Sequence, residues 1–234
     1  MKTVILAGGL GTRLRPITYD YPKPMLPIRG KPFVEYLMNH LKSQGITEII
    51  LCLHYMADKF FEYFGDGTKF GLKITYSVEE APLGTAGAIK NVENFLDETF
   101  VVLNGDTYVN LNFQKMLGFH RDNKALGTIA LMRVKNPARY GSVDVCTDWR
   151  VIGFSEKTRV HNGYINVGAY IFRDKILDFI PKNEKISLEK EVLPNLLKNE
   201  ERIYGFLTEG YFIDIGVLED YQRFQMEVAR GILG

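Results

Sequence analysis

The sequence is poor in cysteine. Only Cys52 and Cys146 occur in 234 residues. Both sit in apolar contexts, so buried thiols are expected in place of a disulfide or a metal pair. It also lacks an excess of either charge. Lys plus Arg number 29 against 28 Asp plus Glu, a net of +1. No global positive field exists to hold nucleic acid or an anionic membrane, and neither is expected as a partner. No apolar run approaches the ~20 residues of a membrane span. The amino terminus, Met1 to Gly9, has too short an apolar core for a signal peptide, so a cytoplasmic chain is expected. The four histidines, His40, His54, His120 and His161, lack metal spacing. No Ser-His-Asp arrangement is evident, which argues against a covalent intermediate of that kind. Repeats, low-complexity tracts and Ser/Pro-rich linkers are missing too. A hydrophobic share of 46% with 24% charged residues excludes a disordered chain.

The chain does have alternating strand-like and helix-like runs. Thr3–Leu6 is short and β-branched, as in a buried strand, and a glycine-rich turn follows at once. Phe33–Gln44 carries Phe33, Leu37 and Leu41 at helical spacing, with Gly45 placed to end it. Glu48–Leu53 reads as strand, Met56–Phe64 as helix, Leu72–Ser77 as strand, Thr85–Leu96 as helix and Thr99–Leu103 as strand. This order implies parallel strands joined by right-handed crossovers. The second half is less regular. Gly127–Val134 and Tyr164–Phe172 read as strands, and Gly141–Val145 with Val151–Ser155 as a hairpin around Asp148. Arg173–Ile180, Ser187–Lys198 and Val217–Ala229 read as helices, and Arg202–Phe206 and Tyr211–Asp214 as late strands. The expected fold is α/β: a Rossmann-like, mixed but mainly parallel central sheet flanked by helices. The second half is expected to complete the first as one domain over 1–234.

Chemistry concentrates in Leu6-Ala7-Gly8-Gly9-Leu10-Gly11-Thr12-Arg13. A strand delivers three glycines in four positions, which lets backbone amides approach an anion without Cβ interference. Such amides donate to phosphate oxygens, and Arg13 adds a planar, permanently charged donor array. A dinucleotide fingerprint beginning at Gly9 would need glycine where Leu14 stands, and the Gly-Lys-Ser/Thr ending of a Walker A loop is missing. Further on, Tyr21-Pro22-Lys23-Pro24-Met25-Leu26-Pro27-Ile28 sets Lys23 on a backbone stiffened by three prolines. Asn104-Gly105-Asp106 follows a buried strand, where ligands gather in parallel sheets.

The order strand, Gly-Gly-x-Gly-Thr-Arg, then Pro-Lys-Pro-Met-x-Pro-Ile resembles the sugar-1-phosphate nucleotidyltransferases, the nucleoside-diphosphate-sugar pyrophosphorylases. The resemblance runs from Met1 to about Asp220. It implies the nucleotide-diphospho-sugar transferase (GT-A-like) fold, with a nucleotide-binding part over about 1–110 and a sugar-binding part over about 111–220. It also implies transfer of a nucleotidyl group from a nucleoside triphosphate to a sugar 1-phosphate, releasing pyrophosphate. Arg13, Lys23 and Asp106 would then be catalytic. Leu6, Gly8, Gly9, Gly11, Thr12, Arg13 and Asp106 would meet the nucleotide. So would Gly84 and Thr85, within Pro82-Leu83-Gly84-Thr85-Ala86-Gly87-Ala88, together with Glu79. Asp106 and Asp214 would bind Mg²⁺.

By the same resemblance Gly141, Glu156, Lys157 and Asn166 would meet the sugar phosphate. Thr158 stands where the family commonly has proline after Glu-Lys. The loop Pro82–Ala88 and the segment Ile186–Pro194 look most like the small guanylyltransferases, above all those acting on D-glycero-α-D-manno-heptose 1-phosphate. GTP is therefore the favoured nucleotide. Mannose 1-phosphate is the next sugar, followed by uridylyl or thymidylyl transfer to glucose 1-phosphate. A glycosyltransferase would want an Asp-x-Asp motif, which Asp106-Thr107-Tyr108 is not. A nucleotide-sugar sensor would tolerate loss of Arg13, Lys23, Asp106 or Asp214, and all four are present. The helical carboxyl end at Val217–Ile232 offers a face for a homodimer.

Overall fold

The computed structural model describes residues 1–135, 140–155 and 163–232. In chain order its elements begin with β1 (Thr3–Leu6), β2 (Pro27–Ile28), β3 (Lys31–Pro32), α1 (Phe33–Ser43), β4 (Glu48–Leu53), α2 (Ala57–Phe64) and β5 (Lys73–Val78). Next come α3 (Gly84–Asn91), β6 (Thr99–Asn104), β7 (Thr107–Val109), α4 (Phe113–Asp122), β8 (Gly127–Val134), β9 (Ser142–Val145), β10 (Val151–Ser155) and β11 (Gly163–Arg173). The chain ends with α5 (Leu193–Lys198), β12 (Ile203–Leu207), β13 (Phe212–Asp214) and α6 (Leu218–Ala229). These elements form two compact units interleaved along the sequence. An amino-terminal unit combines Thr3–Pro82, Asn104–Asn110 and Tyr211–Gly234. A central unit combines Met1–Lys2, Leu83–Leu103 and Leu111–Gly210.

In the amino-terminal unit β1 pairs in parallel with β4, and β4 with β5. Parallel neighbours cannot be joined by a tight turn, and α1 and α2 lie in the connections. The sequences of β1 and β4 are largely apolar, and Val4, Ile5, Ile49, Ile50 and Leu51 are buried. The expected helix after Pro32 forms, buries Phe33, Leu37 and Leu41, and ends before Gly45, whose φ of +77° favours a residue without a side chain. Tyr211–Asp214 contributes β13, which pairs antiparallel with β7. Beneath these pieces lies one core in which Leu14, Leu26, Ile28, Tyr108, Ile213 and Ile215 pack with Phe33, Tyr221 and Phe224. Leu14 beside Arg13 and Ile213 and Ile215 on either side of Asp214 are thus members of a single apolar cluster, as are Leu26 and Tyr108, three and two positions after Lys23 and Asp106.

In the central unit the eleven-residue β11 pairs antiparallel with β6, β8 and the start of β9, while β8 pairs in parallel with β12. The register on β8 shifts between Asn166 and Tyr170, a bulge with Gly168 at φ +71°. The expected helix at Arg173–Ile180 is a 3-10 segment, Asp174–Phe179, and Ser187–Lys198 opens with a π turn, Leu188–Val192, before α5. Ser187 caps that turn, accepting from the Lys190 N–H at 3.2 Å. Helix α4 was not foreseen. Its signal is present in Phe113, Met116, Leu117 and His120 at helical spacing, after Asn112, which accepts from the Lys115 N–H at 2.9 Å.

One expectation needs correcting. Cys52 is buried in β4, where burial pushes its thiol well above the usual range, but Cys146 is exposed. Cys146 follows the last residue of β9 and opens the turn to β10, so the apolar neighbours in sequence are not neighbours that cover it.

Candidate active site

Four of the charged residues singled out from the sequence, Arg13, Lys23, Asp106 and Asp214, converge in the amino-terminal unit. Lys23 Nζ donates to Asp106 Oδ2 at 2.6 Å and to Asp214 Oδ1 at 3.4 Å. The Lys23 side chain is 8% exposed, against 35% for Asp106 and 27% for Asp214. The lysine therefore sits beneath two carboxylates that open to solvent. It is held there by the 3-10 turn Lys23–Met25, whose Pro22 and Pro24 are buried beside it. Thr107 Oγ1 supports the other Asp106 oxygen at 3.3 Å, and the Ile215 N–H donates to the Asp106 carbonyl at 3.1 Å. Those bonds register the segment after β6 against the segment after β13.

Two glycines make the convergence possible. The Gly105 N–H donates to the Leu6 carbonyl at 2.9 Å, and a Cβ on Gly105 would lie only 2.9 Å from that oxygen. Any side chain there would push the Asp106 turn off the end of β1. A Cβ on Gly216 would meet Asp214 Oδ1 at 3.0 Å and Arg13 Nη1 at 3.5 Å, which shows how closely the guanidinium approaches this corner. Arg13 is itself exposed, on the 3-10 turn Thr12–Leu14 anchored by buried Leu14. Gly11 precedes that turn at φ +61°, its carbonyl accepts from the Thr18 hydroxyl at 3.0 Å, and its missing Cβ would press on Thr18 and Lys23. Thr18 and Gly216 are functional neighbours that sequence reasoning missed. Neither carries a local signal beyond its proximity to a motif.

The electrostatics follow. Burial, then the Asp106 charge, raises the Asp214 carboxyl above the ordinary range, and Lys23 and Arg13 oppose that rise. Among the described residues no group of three or more His, Cys, Asp or Glu can hold a metal. The pair Asp106 and Asp214 remains, with oxygen donors of the hard kind that Mg²⁺ takes from one or two carboxylates and substrate phosphates. The pair already brackets a cation, so its charge and geometry fit such an ion.

Of the other expected residues, Leu6 ends β1 half-buried, and Gly9 and Thr12 are exposed. Gly8 packs on His54, whose Nδ1 is 2.8 Å from the Glu79 carbonyl, and the Glu79 side chain is buried. In the central unit Gly84 starts α3 at φ +72°, and a Cβ there would lie 2.5 Å from the Ile186 carbonyl. Gly87 is pressed equally by the Glu184 carbonyl, at 2.5 Å. The small residues of this loop thus meet the neighbouring backbone. Thr85 Oγ1 donates to Glu189 Oε2 at 2.9 Å and accepts from the Leu188 N–H at 2.8 Å. Gly141 is exposed before β9. Asn166 donates through Nδ2 to the Tyr170 hydroxyl at 2.8 Å and accepts at Oδ1 from the Gly168 N–H at 2.9 Å. Glu156, Lys157, Thr158 and His161 lie outside the described residues.

The amino-terminal unit thus brings Arg13 and Lys23 together with a carboxylate pair. The chain belongs to the nucleotidyl transferase family, whose profile matches residues 2–231. It is 42% identical over 235 residues to the mannose-1-phosphate guanylyltransferase of Mycobacterium tuberculosis, covering 99% of this chain and 66% of that one. It is 41% identical to the D-glycero-alpha-D-manno-heptose 1-phosphate guanylyltransferase of Aneurinibacillus thermoaerophilus, over 97% of this chain and 98% of that one. Its fold matches HddC from Yersinia pseudotuberculosis, solved in complex with GMP-PN, at a TM-score of 0.87 and 39% identity, over 97% of this chain and 99% of that one. No helix among the described residues is long and apolar enough to cross a membrane.

Proposed function

We propose that the chain transfers a guanylyl group from GTP to a sugar 1-phosphate, D-glycero-α-D-manno-heptose 1-phosphate foremost, forming GDP-heptose and pyrophosphate for surface polysaccharide. The observation that carries this reading is Lys23, buried and bracketed by Asp106 and Asp214 with Arg13 alongside. In the reaction a sugar phosphate oxygen attacks the α-phosphorus of GTP. The bond from that phosphorus to the bridging oxygen breaks, and pyrophosphate leaves with the electron pair. Such chemistry rests on positioning and charge neutralisation. Lys23 neutralises charge at the reacting phosphates, and Arg13 stabilises the departing pyrophosphate. Amides of Gly8, Gly9, Gly11 and Thr12 face the phosphates at the end of β1, with Leu6 beside them. Glu79, Gly84 and Thr85 serve the base and ribose. Gly141, Glu156, Lys157 and Asn166 serve the sugar phosphate.

Asp106 and Asp214 would hold Mg²⁺, which when bound supplies Lewis-acid polarisation of phosphate oxygens. Nucleotidyl transferases typically use a divalent ion, and the carboxylate pair supports that here. GTP is supported by the guanylyltransferase relatives and by the GMP-PN complex of HddC. Heptose is supported by the near full-length match to the Aneurinibacillus enzyme. Mannose is the second reading, because the mycobacterial enzyme is equally similar over the shared length. A cytoplasmic setting is part of this reading. Leu218, Met226 and Ile232, each about half exposed, support a homodimer through the carboxyl end, which light scattering at two concentrations tests.

The decisive experiment measures pyrophosphate release with GTP, UTP, dTTP, CTP and ATP crossed against heptose, mannose, glucose and N-acetylhexosamine 1-phosphates, with and without Mg²⁺. Dominant turnover of GTP with heptose 1-phosphate is expected. A different dominant pair overturns the substrate assignment, and no turnover with any pair overturns the reaction.

A further inference from the structure

In the central unit a chain of hydrogen bonds joins Thr85 and Asn166 through Glu189 and Tyr170, two residues to which the reaction outlined above gives no role. Its hub is Glu189, in the π turn Leu188–Val192. Oε1 accepts from the Tyr170 hydroxyl at 3.0 Å, and Oε2 accepts from the hydroxyls of Thr85 at 2.9 Å and Ser187 at 3.2 Å. Tyr170 is fully buried. An ionised carboxylate can only accept, so the Tyr170 proton must point at Glu189. That leaves the phenolic oxygen to accept, and it does so from Asn166 Nδ2 at 2.8 Å. The other end of the amide is set independently. The bulge at Gly168 turns a backbone N–H, which can only donate, onto Asn166 Oδ1 at 2.9 Å. Both ends demand the same amide orientation. Asn166 keeps one further N–H, which has no partner among the described residues.

We infer that Glu189, acting through the Tyr170 hydroxyl, is a positioning residue that orients the Asn166 amide to present an N–H donor to a hydroxyl oxygen of the sugar phosphate. This rests on the reading of Asn166 as a sugar contact. Without an acceptor at 189 the Tyr170 O–H turns toward Asn166 and meets another donor. The amide must then flip, which sets its NH₂ against the Gly168 N–H and offers the sugar a carbonyl where it met a donor. A glutamine at 189 preserves the arrangement. Its oxygen accepts from Tyr170, and its NH₂ donates to the Thr85 and Ser187 oxygens.

The test compares Glu189→Met, Glu189→Gln and Tyr170→Phe with the unaltered enzyme in steady-state kinetics for both substrates. Tyr170→Phe is expected to raise KM for the sugar phosphate roughly fivefold to tenfold, the worth of one hydrogen bond, with KM for GTP within about twofold; Glu189→Met, which also takes the acceptor from the Thr85 hydroxyl, is expected to raise KM for the sugar phosphate as much. Glu189→Gln is expected to stay within about twofold of the unaltered enzyme in both. A purely structural role would raise both KM values together, and a role through charge would make glutamine as harmful as methionine. Either result overturns the inference. A second readout needs no turnover: the Asn166 side-chain NH₂ pair in a nitrogen–proton NMR correlation spectrum, assigned through Asn166→Asp. One of its protons is expected to be protected from exchange, and to exchange at least tenfold faster in Glu189→Met. Unchanged protection overturns the relay. An unaltered enzyme that uses no sugar 1-phosphate overturns the proposed reaction instead, and the spectrum still decides the relay.

Discussion

Replacing Lys23 by methionine removes the ammonium and keeps the length of the side chain. In the resting site it leaves Asp106 and Asp214, now only partly shielded by Arg13, with no cation between them. In the proposed reaction it removes the cation closest to both carboxylates, 2.6 and 3.4 Å away, which that reading sets where charge builds on the phosphates. A preorganised contact to developing charge is worth ~3–4 kcal/mol, so kcat should fall roughly 10²- to 10³-fold. The fold should survive, because the core beneath the site is apolar and does not include the ammonium. Stability carries an independent signature. Lys23 opposes the upward shift of Asp214, so its loss raises that carboxyl further. A carboxyl raised in the folded state binds protons that the unfolded state has released, so stability falls as pH rises through that window. The Tm deficit of Lys23→Met relative to the unaltered chain should therefore be larger at pH 8 than at pH 5. Pyrophosphate release and thermal melts across pH measure both effects. A kcat within tenfold of the unaltered enzyme refutes the catalytic assignment. A deficit that does not shrink on acidification refutes the electrostatic account.

Asp106→Asn removes one of the two proposed metal ligands and the closer partner of Lys23. It should lower kcat by two orders of magnitude or more, roughly, and weaken Mn²⁺ binding in titration calorimetry with GTP present; near-normal turnover removes Asp106 from the mechanism. His120 is buried with Nδ1 on the Thr128 hydroxyl at 2.9 Å, and burial, aided by Arg173 and Arg121, lowers its pKa to about 4. The neutral ring contributes stability above the unfolded value near 6.5 that is lost as pH falls toward 4, on the order of 3 kcal/mol; His120→Gln should flatten this part of the melting curve against pH. Gly84→Ala must take a positive φ and set a methyl 2.5 Å from the Ile186 carbonyl. A loss of roughly 2 kcal/mol or more should lower Tm by about 5 °C, and an unchanged Tm would mean the loop yields easily.

Much of the fold was legible because its determinants are local. The continuous apolar runs of β1 and β4 and the helical spacing of α1 mark those elements within a few adjacent residues. The segment Gly8–Ile28 carries its meaning in adjacent residues: glycines shape the turn, and prolines stiffen the stretch around Lys23. Helix α4 was missed although its pattern is local, because Gly118 and the polar residues between its apolar positions dilute the run. Cys146 was misjudged because apolar neighbours in sequence say nothing about what covers a turn. The site itself is not local. Lys23 meets Asp106 across 83 positions and Asp214 across 191, and Glu189 meets Thr85 across 104. The residue types and their order marked Lys23, Asp106 and Asp214 as candidates from the sequence alone. Only the packing of Leu26, Tyr108, Ile213 and Phe224 in one core decided that their side chains share a single point, because burying apolar surface brings distant segments together and propensity along the chain cannot.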